Sequence, residues 1–170
     1  EVQSLVSSEL GVRLASLFPR FDKTPLAAAS LGQVHRATLR DGRDVVVKVQ
    51  RPGIRERVLT DLDALGHAAS FLERHTVFGQ RFGIVEVFEE FRKSLLRELD
   101  FRQEAMHLFT LSANLREIEE IILPQPIIGY TTSRVLAMEF IPGTKVTELT
   151  RLERREVDGE RLVDALFRAY

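Results

Sequence analysis

The sequence has no cysteine among its 170 residues, which excludes a disulfide-stapled scaffold and any zinc site with thiolate ligands. It also has no excess of one charge, since 24 Lys and Arg oppose 25 Asp and Glu for a formal net charge of −1. A nucleic-acid-binding domain carries a basic excess, so no nucleic-acid partner is expected. No apolar run approaches the roughly 20 residues that span a bilayer, and no signal segment opens the chain.

Hydrophobic residues make up 44% of the chain and charged residues 29%, which is enough apolar material for the core of one ordinary domain. We therefore expect a single domain over residues 1–170. The chain opens at Glu1 without Met, and it closes on apolar residues at helical spacing: Leu162, Val163, Leu166, Phe167 and Tyr170. These ends suggest a piece of a longer protein.

Alternating hydrophobicity and turn residues predict two pairs of strands. Gln33–Leu39 and Asp44–Gln50 are rich in β-branched residues, and Asp41-Gly42 between them predicts a tight turn with positive φ at both central residues. Ile127–Tyr130 and Arg134–Phe140 predict a second hairpin. Apolar residues at helical spacing predict helices from Val2 to Gly11, from Ile54 to about Arg74, and through a longer stripe from Phe88 to Phe109. The order predicts an α+β fold, an antiparallel sheet with helices on one side.

One candidate for chemistry is a lysine that follows a loop of small residues. Residues Ala27–Leu31 precede a predicted strand, and Lys48 lies on the next strand among valines. A loop of small residues lets the backbone approach a phosphate, and a lysine on the neighbouring strand can reach the same phosphates. Taken alone, Lys48 is better explained as an edge-strand lysine that discourages aggregation.

A second candidate is the acidic group Glu98, Asp100 and Glu104 within the predicted long helix. Asp100 and Glu104 are four residues apart and share a helix face, whereas Glu98 and Asp100 point to nearly opposite sides of a regular helix. If both serve one site, the helix must be broken or distorted near Leu99. A solvated acidic face explains the same residues, since Arg97 and Arg102 lie among them.

The segment Met138–Gly143 is an apolar strand that ends in Pro-Gly, as an interdomain hinge or an ordinary strand end does. The four histidines have no ligand-like spacing, so no metal site is expected on them.

Together, these features follow the order of a protein-kinase N-terminal lobe. Ala27, Ala29, Gly32 and Val34 fall on the glycine and valine positions of the pattern G-x-G-x-x-G-x-V. Three segments closely resemble the UbiB/AarF family of atypical kinase-like proteins: Pro25–Ala37, Val47–Ile54 and Glu98–Ala105. The resemblance covers nearly the whole chain, and it implies a kinase-like N-lobe with a C-helix and extra helices of the family's own.

The resemblance also implies a site for ATP or ADP in which an alanine-rich loop replaces the Gly-rich loop. Lys48 would contact the α- and β-phosphates and pair with Glu104 of the C-helix, while Glu98 and Asp100 would form the family's E-x-D signature. The implied nucleotide-binding residues are Ala27, Ala28, Ala29, Ser30, Gly32, Gln33, Val34, Val46, Lys48, Met138, Glu139 and Ile141. Among these, Val34 and Val46 would cover the adenine, Met138 would be the gatekeeper, and the backbone of Glu139 and Ile141 would bond the adenine edge.

The sequence departs from the family pattern in several places. The K-x-G-Q motif, the catalytic-loop Asp and Asn, and the Asp of D-F-G have no counterpart, so Mg²⁺ ligands are expected outside this chain. The chain alone is therefore expected to be inactive. Val46 replaces the alanine of the kinase pattern, and His107 stands where the family often has asparagine.

The resemblance implies that the full protein is an ATPase or a kinase. It also implies a link to isoprenoid quinone (coenzyme Q) biosynthesis and lipid homeostasis. The partners of the full protein would be a nucleotide and lipid or quinone-pathway proteins at a membrane surface, in the cytoplasm or on the matrix side of an organelle. Two alternatives are a pseudokinase regulatory module, which binds nucleotide without phosphoryl transfer, and a membrane-docking scaffold.

Overall fold

The computed structural model describes residues 1–150 and 157–170 of the chain. Its α-helices are α1 (Val2–Leu10), α2 (Leu14–Leu17), α3 (Ile54–His75), α4 (Val77–Phe82), α5 (Ile84–Glu98), α6 (Phe101–Asn114) and α7 (Gly159–Ala169). Its strands are β1 (Arg20–Phe21), β2 (Ala27–Ala28), β3 (Gly32–Thr38), β4 (Asp44–Gln50) and β5 (Val135–Glu139). Two 3₁₀ helices cover Ile128–Tyr130 and Val146–Glu148.

The strands form one antiparallel sheet in the order β1-β3-β4-β5, with β2 also paired to β3. The β3–β4 register runs from Gly32 opposite Gln50 to Thr38 opposite Asp44. On its other side, β4 pairs with β5, with Lys48 opposite Leu136. The predicted first strand pair is therefore confirmed, and its second strand lies in the interior of the sheet.

The turn between β3 and β4 differs from its prediction. The Leu39 N–H donates to the Arg43 carbonyl at 2.9 Å, and the Gly42 N–H donates to the Leu39 carbonyl at 3.0 Å. Gly42 has a φ of 88°, but no described residue other than glycine has a positive φ. The expectation of positive φ at Asp41 is therefore wrong. A longer hairpin loop needs the left-handed conformation at its last position only, and the Asp41 carboxylate accepts from the Arg43 N–H at 3.1 Å.

Both faces of the sheet are covered by helices. On one face, Val47 and Ala137 pack with Val6 of α1 and with Phe18, and all four are almost completely buried. On the other face, Leu136 packs against Phe101 and Ala105 of α6. The expectation of helices on one side only is therefore wrong. A nearly continuous valine run such as that of β4 is typical of a strand buried on both faces.

The predicted long helix is divided into two. Helix α5 ends at Glu98, α6 begins at Phe101, and Leu99 between them is completely buried. The Asp100 side chain accepts from the Arg102 N–H at 3.0 Å, so Asp100 caps α6 as aspartates do at helix N-termini. The break lies where the sequence requires it if Glu98 and Asp100 are to serve one site.

Only the second strand of the predicted second hairpin forms. Residues Ile128–Tyr130 are a 3₁₀ helix, and their segment contacts β5 through a bridge between Pro126 and Met138 and a bond from the Ile127 N–H to the Ala137 carbonyl. The Tyr130 N–H donates to the Ile127 carbonyl at 2.9 Å. The Thr131 hydroxyl donates to the Ile127 carbonyl at 2.9 Å, which favours a turn over a strand.

The remaining helices extend beyond the sheet. Helix α3 confirms the prediction from Ile54 to about Arg74, and it packs against α4 and α5. The amphipathic pattern near the end of the chain forms α7. In the described part of the chain, no helix combines the length and the apolar character needed to cross a bilayer.

Candidate functional site: a lysine–glutamate cleft beside the alanine-rich loop

Lys48 lies at the centre of the sheet, on the face that α6 covers. Its neighbours across the strands are Val34 on β3 and Leu136 on β5. The edge-strand explanation is excluded because β4 is paired on both sides. A charged side chain in the middle of a sheet needs a compensating partner, and the Lys48 side chain is only 22% exposed.

That partner is Glu104 in the first turn of α6. Lys48 Nζ lies 2.8 Å from Glu104 Oε1 and 2.6 Å from Oε2. It also lies 4.8 Å from the centroid of the buried Phe101 ring, within the range of a cation–π interaction. The side chains of Lys48 and Glu104 are thus in the contact that was predicted for them. Phe101 is a contact that the sequence patterns did not indicate, although its place directly after Asp100 was a usable signal.

The break between α5 and α6 brings the acidic residues to the same cleft. A cleft of about 520 Å³ is lined by Lys48, Arg97, Glu98, Asp100, Gln103, Glu104 and His107. Glu98 is exposed within this cleft, as the explanation by a solvated acidic face requires. The three carboxylates nevertheless face one cavity together with the lysine, which an isolated acidic helix face would not do.

Asp100 is held firmly at the mouth of this cleft. Its carboxylate accepts from the Arg102 side chain at 2.8 and 2.9 Å and from the Arg102 N–H. The Arg102 hydrogen bonds lower the pKa of Asp100 below its ordinary value, against a smaller opposing effect of burial. Asp100 is therefore ionised at neutral pH and carries a fixed orientation.

The alanine-rich loop starts as a short strand. Ala27 and Ala28 pair with Val34 and Gln33 of β3, and the Ala29 N–H donates to the Gly32 carbonyl at 2.8 Å. Residues 27–30 are exposed, so their backbone is accessible to a ligand.

Gly32 closes this hairpin at a crowded point. A Cβ there would lie 2.8 Å from the Val49 carbonyl oxygen and 3.4 Å from the Phe101 ring. Only glycine therefore fits between β4 and α6 at this position without a shift of the backbone.

The three apolar residues predicted to surround an adenine share the sheet face of Lys48. Val46 stands opposite Met138 on β5, and Val34 stands opposite Lys48. Val46 is 9% exposed, and Met138 and Val34 are half-buried. The structure therefore brings Val34, Val46 and Met138 to the same sheet face as Lys48, as a flat apolar ligand group would require.

The backbone of the segment after β5 is partly committed to other bonds. The Glu139 N–H donates to the Gln125 carbonyl at 3.0 Å, which leaves the Glu139 carbonyl for a ligand. Ile141 is exposed beyond the end of the strand. Hydrogen bonds from these two residues to an adenine edge stay a prediction, restricted for Glu139 to its carbonyl oxygen.

Among the described residues, no group of three or more His, Asp or Glu side chains is arranged to hold a metal ion. The carboxylates of the cleft do not form a magnesium ligand set by themselves.

The sequence profile of the ABC1 atypical kinase-like domain matches residues 1–170, the whole chain. The chain belongs to this family. A relative named "Probable protein kinase UbiB" from Cellvibrio japonicus is 38% identical over 164 residues, which cover 96% of the chain and 30% of the relative. A relative named "Protein ACTIVITY OF BC1 COMPLEX KINASE 8, chloroplastic" from Arabidopsis thaliana is also 38% identical, over 94% of the chain and 21% of the relative.

A solved structure of the same fold comes from Mycobacterium tuberculosis, in a complex described as Rv3197–erythromycin. It superposes with a TM-score of 0.73 at 29% identity and covers 86% of the chain. The chain spans 36% of that protein, as it spans less than a third of the two relatives above. The α+β kinase-like N-lobe and the family resemblance are therefore confirmed.

Proposed function

We propose that this domain is the nucleotide-binding lobe of an atypical kinase-like ATPase or kinase, and that it binds ATP or ADP against the sheet face that carries Lys48. The bidentate pair between Lys48 and Glu104 is the observation that carries the proposal. It holds a half-buried ammonium at a fixed place beside an open cleft. Charge-assisted hydrogen bonds to phosphate oxygens are strong when the donor is held in position in this way.

The remaining contacts follow from the same face. The adenine lies against Val34, Val46 and Met138, whose side chains supply apolar area beside the lysine. The Glu139 carbonyl and the Ile141 N–H bond its edge. The phosphates lie between Lys48 and the loop Ala27–Ser30 with Gly32 and Gln33, where the exposed loop pairs with β3, the strand next to that of Lys48.

The acidic residues set the charge of the cleft. Asp100 is neutralised by Arg102, whereas Glu98 is exposed at the phosphate side. We propose that Glu98 weakens binding of the more highly charged ATP relative to ADP, because like charges that share one cleft repel. The chain's own residues bind and orient the nucleotide. Phosphoryl transfer with Mg²⁺ belongs to the whole protein.

For the whole protein we propose a role in quinone metabolism and lipid homeostasis, at a membrane surface in the cytoplasm or in an organelle; the names of the relatives support the kinase and organelle parts of this proposal. Protein kinase, BC1 complex and chloroplast occur in those names. A pseudokinase role would use the same nucleotide site without turnover.

A membrane-docking role is a second candidate, favoured by exposed apolar side chains at the tip formed by α3, α4 and α5. Phe71, Val77, Phe78 and Phe82 are 57–83% exposed. Sedimentation of the full-length protein with neutral and anionic vesicles, compared with a Phe78→Glu variant, tests this role. Unchanged sedimentation of the variant would contradict it.

The nucleotide proposal is tested by calorimetric titration of full-length protein with ATP and ADP. Lys48→Ala should weaken binding by roughly 1.5–3 kcal/mol, or about 10- to 150-fold, because a charge-assisted contact is lost. Lys93→Ala is the matched control, since Lys93 is an exposed lysine of α5 paired with Glu90. Equal affinities of the wild type and Lys48→Ala would refute the assignment. A parallel phosphate-release assay separates an ATPase or kinase from a pseudokinase.

A further inference from the structure

Gln50 is a polar side chain in an apolar place. It lies two residues after Lys48 on β4, so both side chains leave the same face of the strand. Gln50 is 1% exposed, and only His35 joins it as a buried polar residue in the part of the chain described by the structure. A buried amide is retained only where its hydrogen bonds offset the loss of hydration.

Its hydrogen bonds lead to the break between α5 and α6. Gln50 Nε2 donates to the Leu99 carbonyl at 2.5 Å and lies 3.4 Å from the Ser133 carbonyl. The Ser133 carbonyl also accepts from the Phe101 N–H at 3.0 Å. Gln50 therefore joins the end of the lysine strand to the residue between Glu98 and Asp100.

The Leu99 carbonyl, which accepts from Gln50, needs a hydrogen-bond donor from outside the two helices. The last carbonyls of a helix have no hydrogen-bond partner within it. Leu99 is completely buried, so bulk water is not the donor to its carbonyl. The cost of the arrangement is visible at the other end of the amide, where Oε1 is buried without a partner among the described residues. An apolar residue would avoid that cost, so packing alone does not explain a glutamine at this position.

We infer that Gln50 is a positioning residue for the acidic turn Glu98–Asp100: its amide fixes the α5–α6 break and so directs Glu98 and Asp100 into the cleft of Lys48. Two anchors then hold the start of α6 against β4. Lys48 holds Glu104, and Gln50 holds Leu99. The Gln50 anchor holds the turn independently of the Lys48–Glu104 pair. This inference rests on the proposed nucleotide site only for its second test.

The first test needs no nucleotide. Hydrogen exchange is measured on the full-length protein for Gln50→Met, which keeps the size of the side chain but removes its donor, and for Gln80→Met, an exposed control on α4. We expect amide exchange of residues 99–102 to accelerate about tenfold, the effect of one lost hydrogen bond to a buried carbonyl. Exchange in β3 and α1 should not change.

Equal acceleration throughout the domain would show a general packing role and overturn the inference, as would unchanged exchange at 99–102. If Gln50→Met does not fold, Gln50→Asn decides, since its shorter amide cannot reach Leu99. Failure of both variants to fold would also count against a positioning role.

The second test uses the ratio of ATP to ADP affinity in the same protein. Gln50→Met should shift this ratio in the direction of Glu98→Gln, and the double variant should show no further shift, because both changes remove the same carboxylate from the phosphates. Additive shifts would contradict the inference. A wild type that binds neither nucleotide refutes the proposed function and leaves the exchange test standing on its own.

Discussion

The two faces of β4 differ in what they bury. Val45, Val47 and Val49 point into a closed apolar core against α1 and Phe18. Val46, Lys48 and Gln50 lie on the face that α6 covers, where Lys48 pairs with Glu104 and the buried Gln50 amide bonds Leu99. The closed face needs only apolar side chains from its partner helices, whereas the other face needs a carboxylate from α6 and a backbone carbonyl from the α5–α6 break at fixed places. The comparison shows that one strand carries stability on one side and the site on the other.

The largest effect on folding stability is expected from a charge placed on the closed face. Val47 is completely buried, so Val47→Asp leaves a carboxylate with no partner and should cost more than about 3 kcal/mol, enough to unfold a marginal domain. Urea denaturation of the full-length protein, followed by circular dichroism, measures this cost. Val87→Asp on the exposed face of α5 is the control and should change stability by less than about 0.5 kcal/mol. A stable Val47→Asp variant would show that this face is not the core.

A moderate effect is expected at the helix break. Asp100→Ala removes the cap of α6 and should cost about 0.5–2 kcal/mol at neutral pH. Because Arg102 lowers the pKa of Asp100 in the folded state, the carboxylate stabilises the fold above its unfolded pKa of about 4 and loses that effect as the pH falls through its folded pKa. The difference in stability between wild type and Asp100→Ala should therefore shrink on acidification. A difference that grows with falling pH would contradict the Arg102 interaction.

The smallest effect on folding is expected in the alanine-rich loop. Ala29 adopts a negative φ, so Ala29→Gly adds freedom mainly to the unfolded chain and should cost about 0.5–1 kcal/mol. Removal of the methyl group lets the loop approach a γ-phosphate, which should tighten ATP relative to ADP under matched magnesium. The affinity ratio measured by calorimetry checks this. A lower melting temperature with an unchanged ratio would make the loop only structural.

Much of this arrangement could be predicted from local sequence. The strand pair around Asp41-Gly42 followed from alternation, whereas helix geometry required a break near Leu99 only on the condition that Glu98 and Asp100 serve one site. The Lys48–Glu104 pair followed only from the family resemblance, because residues 56 positions apart share no local pattern.

The sequence pattern could not predict the features that depend on tertiary packing. The 3₁₀ turn at Ile128–Tyr130 replaced a strand because the Tyr130 N–H and the Thr131 hydroxyl both bond the Ile127 carbonyl locally. The contacts of Gln50 and Phe101 depend on how α6 lies on the sheet, and the burial of Gln50 runs against its polarity. Helices on both faces were missed because the one-sided arrangement was inferred from the order of strand pairs and helices alone.

The central claim is that Lys48 and Glu104 act as one unit in nucleotide binding. A double-mutant cycle on the full-length protein tests it most directly, with Lys48→Met, Glu104→Gln and the double variant titrated with ADP. If the pair acts as a unit, each single change weakens binding, and the double variant is weaker than Lys48→Met by little more than the error, with a coupling of about 1–2 kcal/mol. Independent losses that add in the double variant would return Glu104 to a solvated helix face and contradict the account.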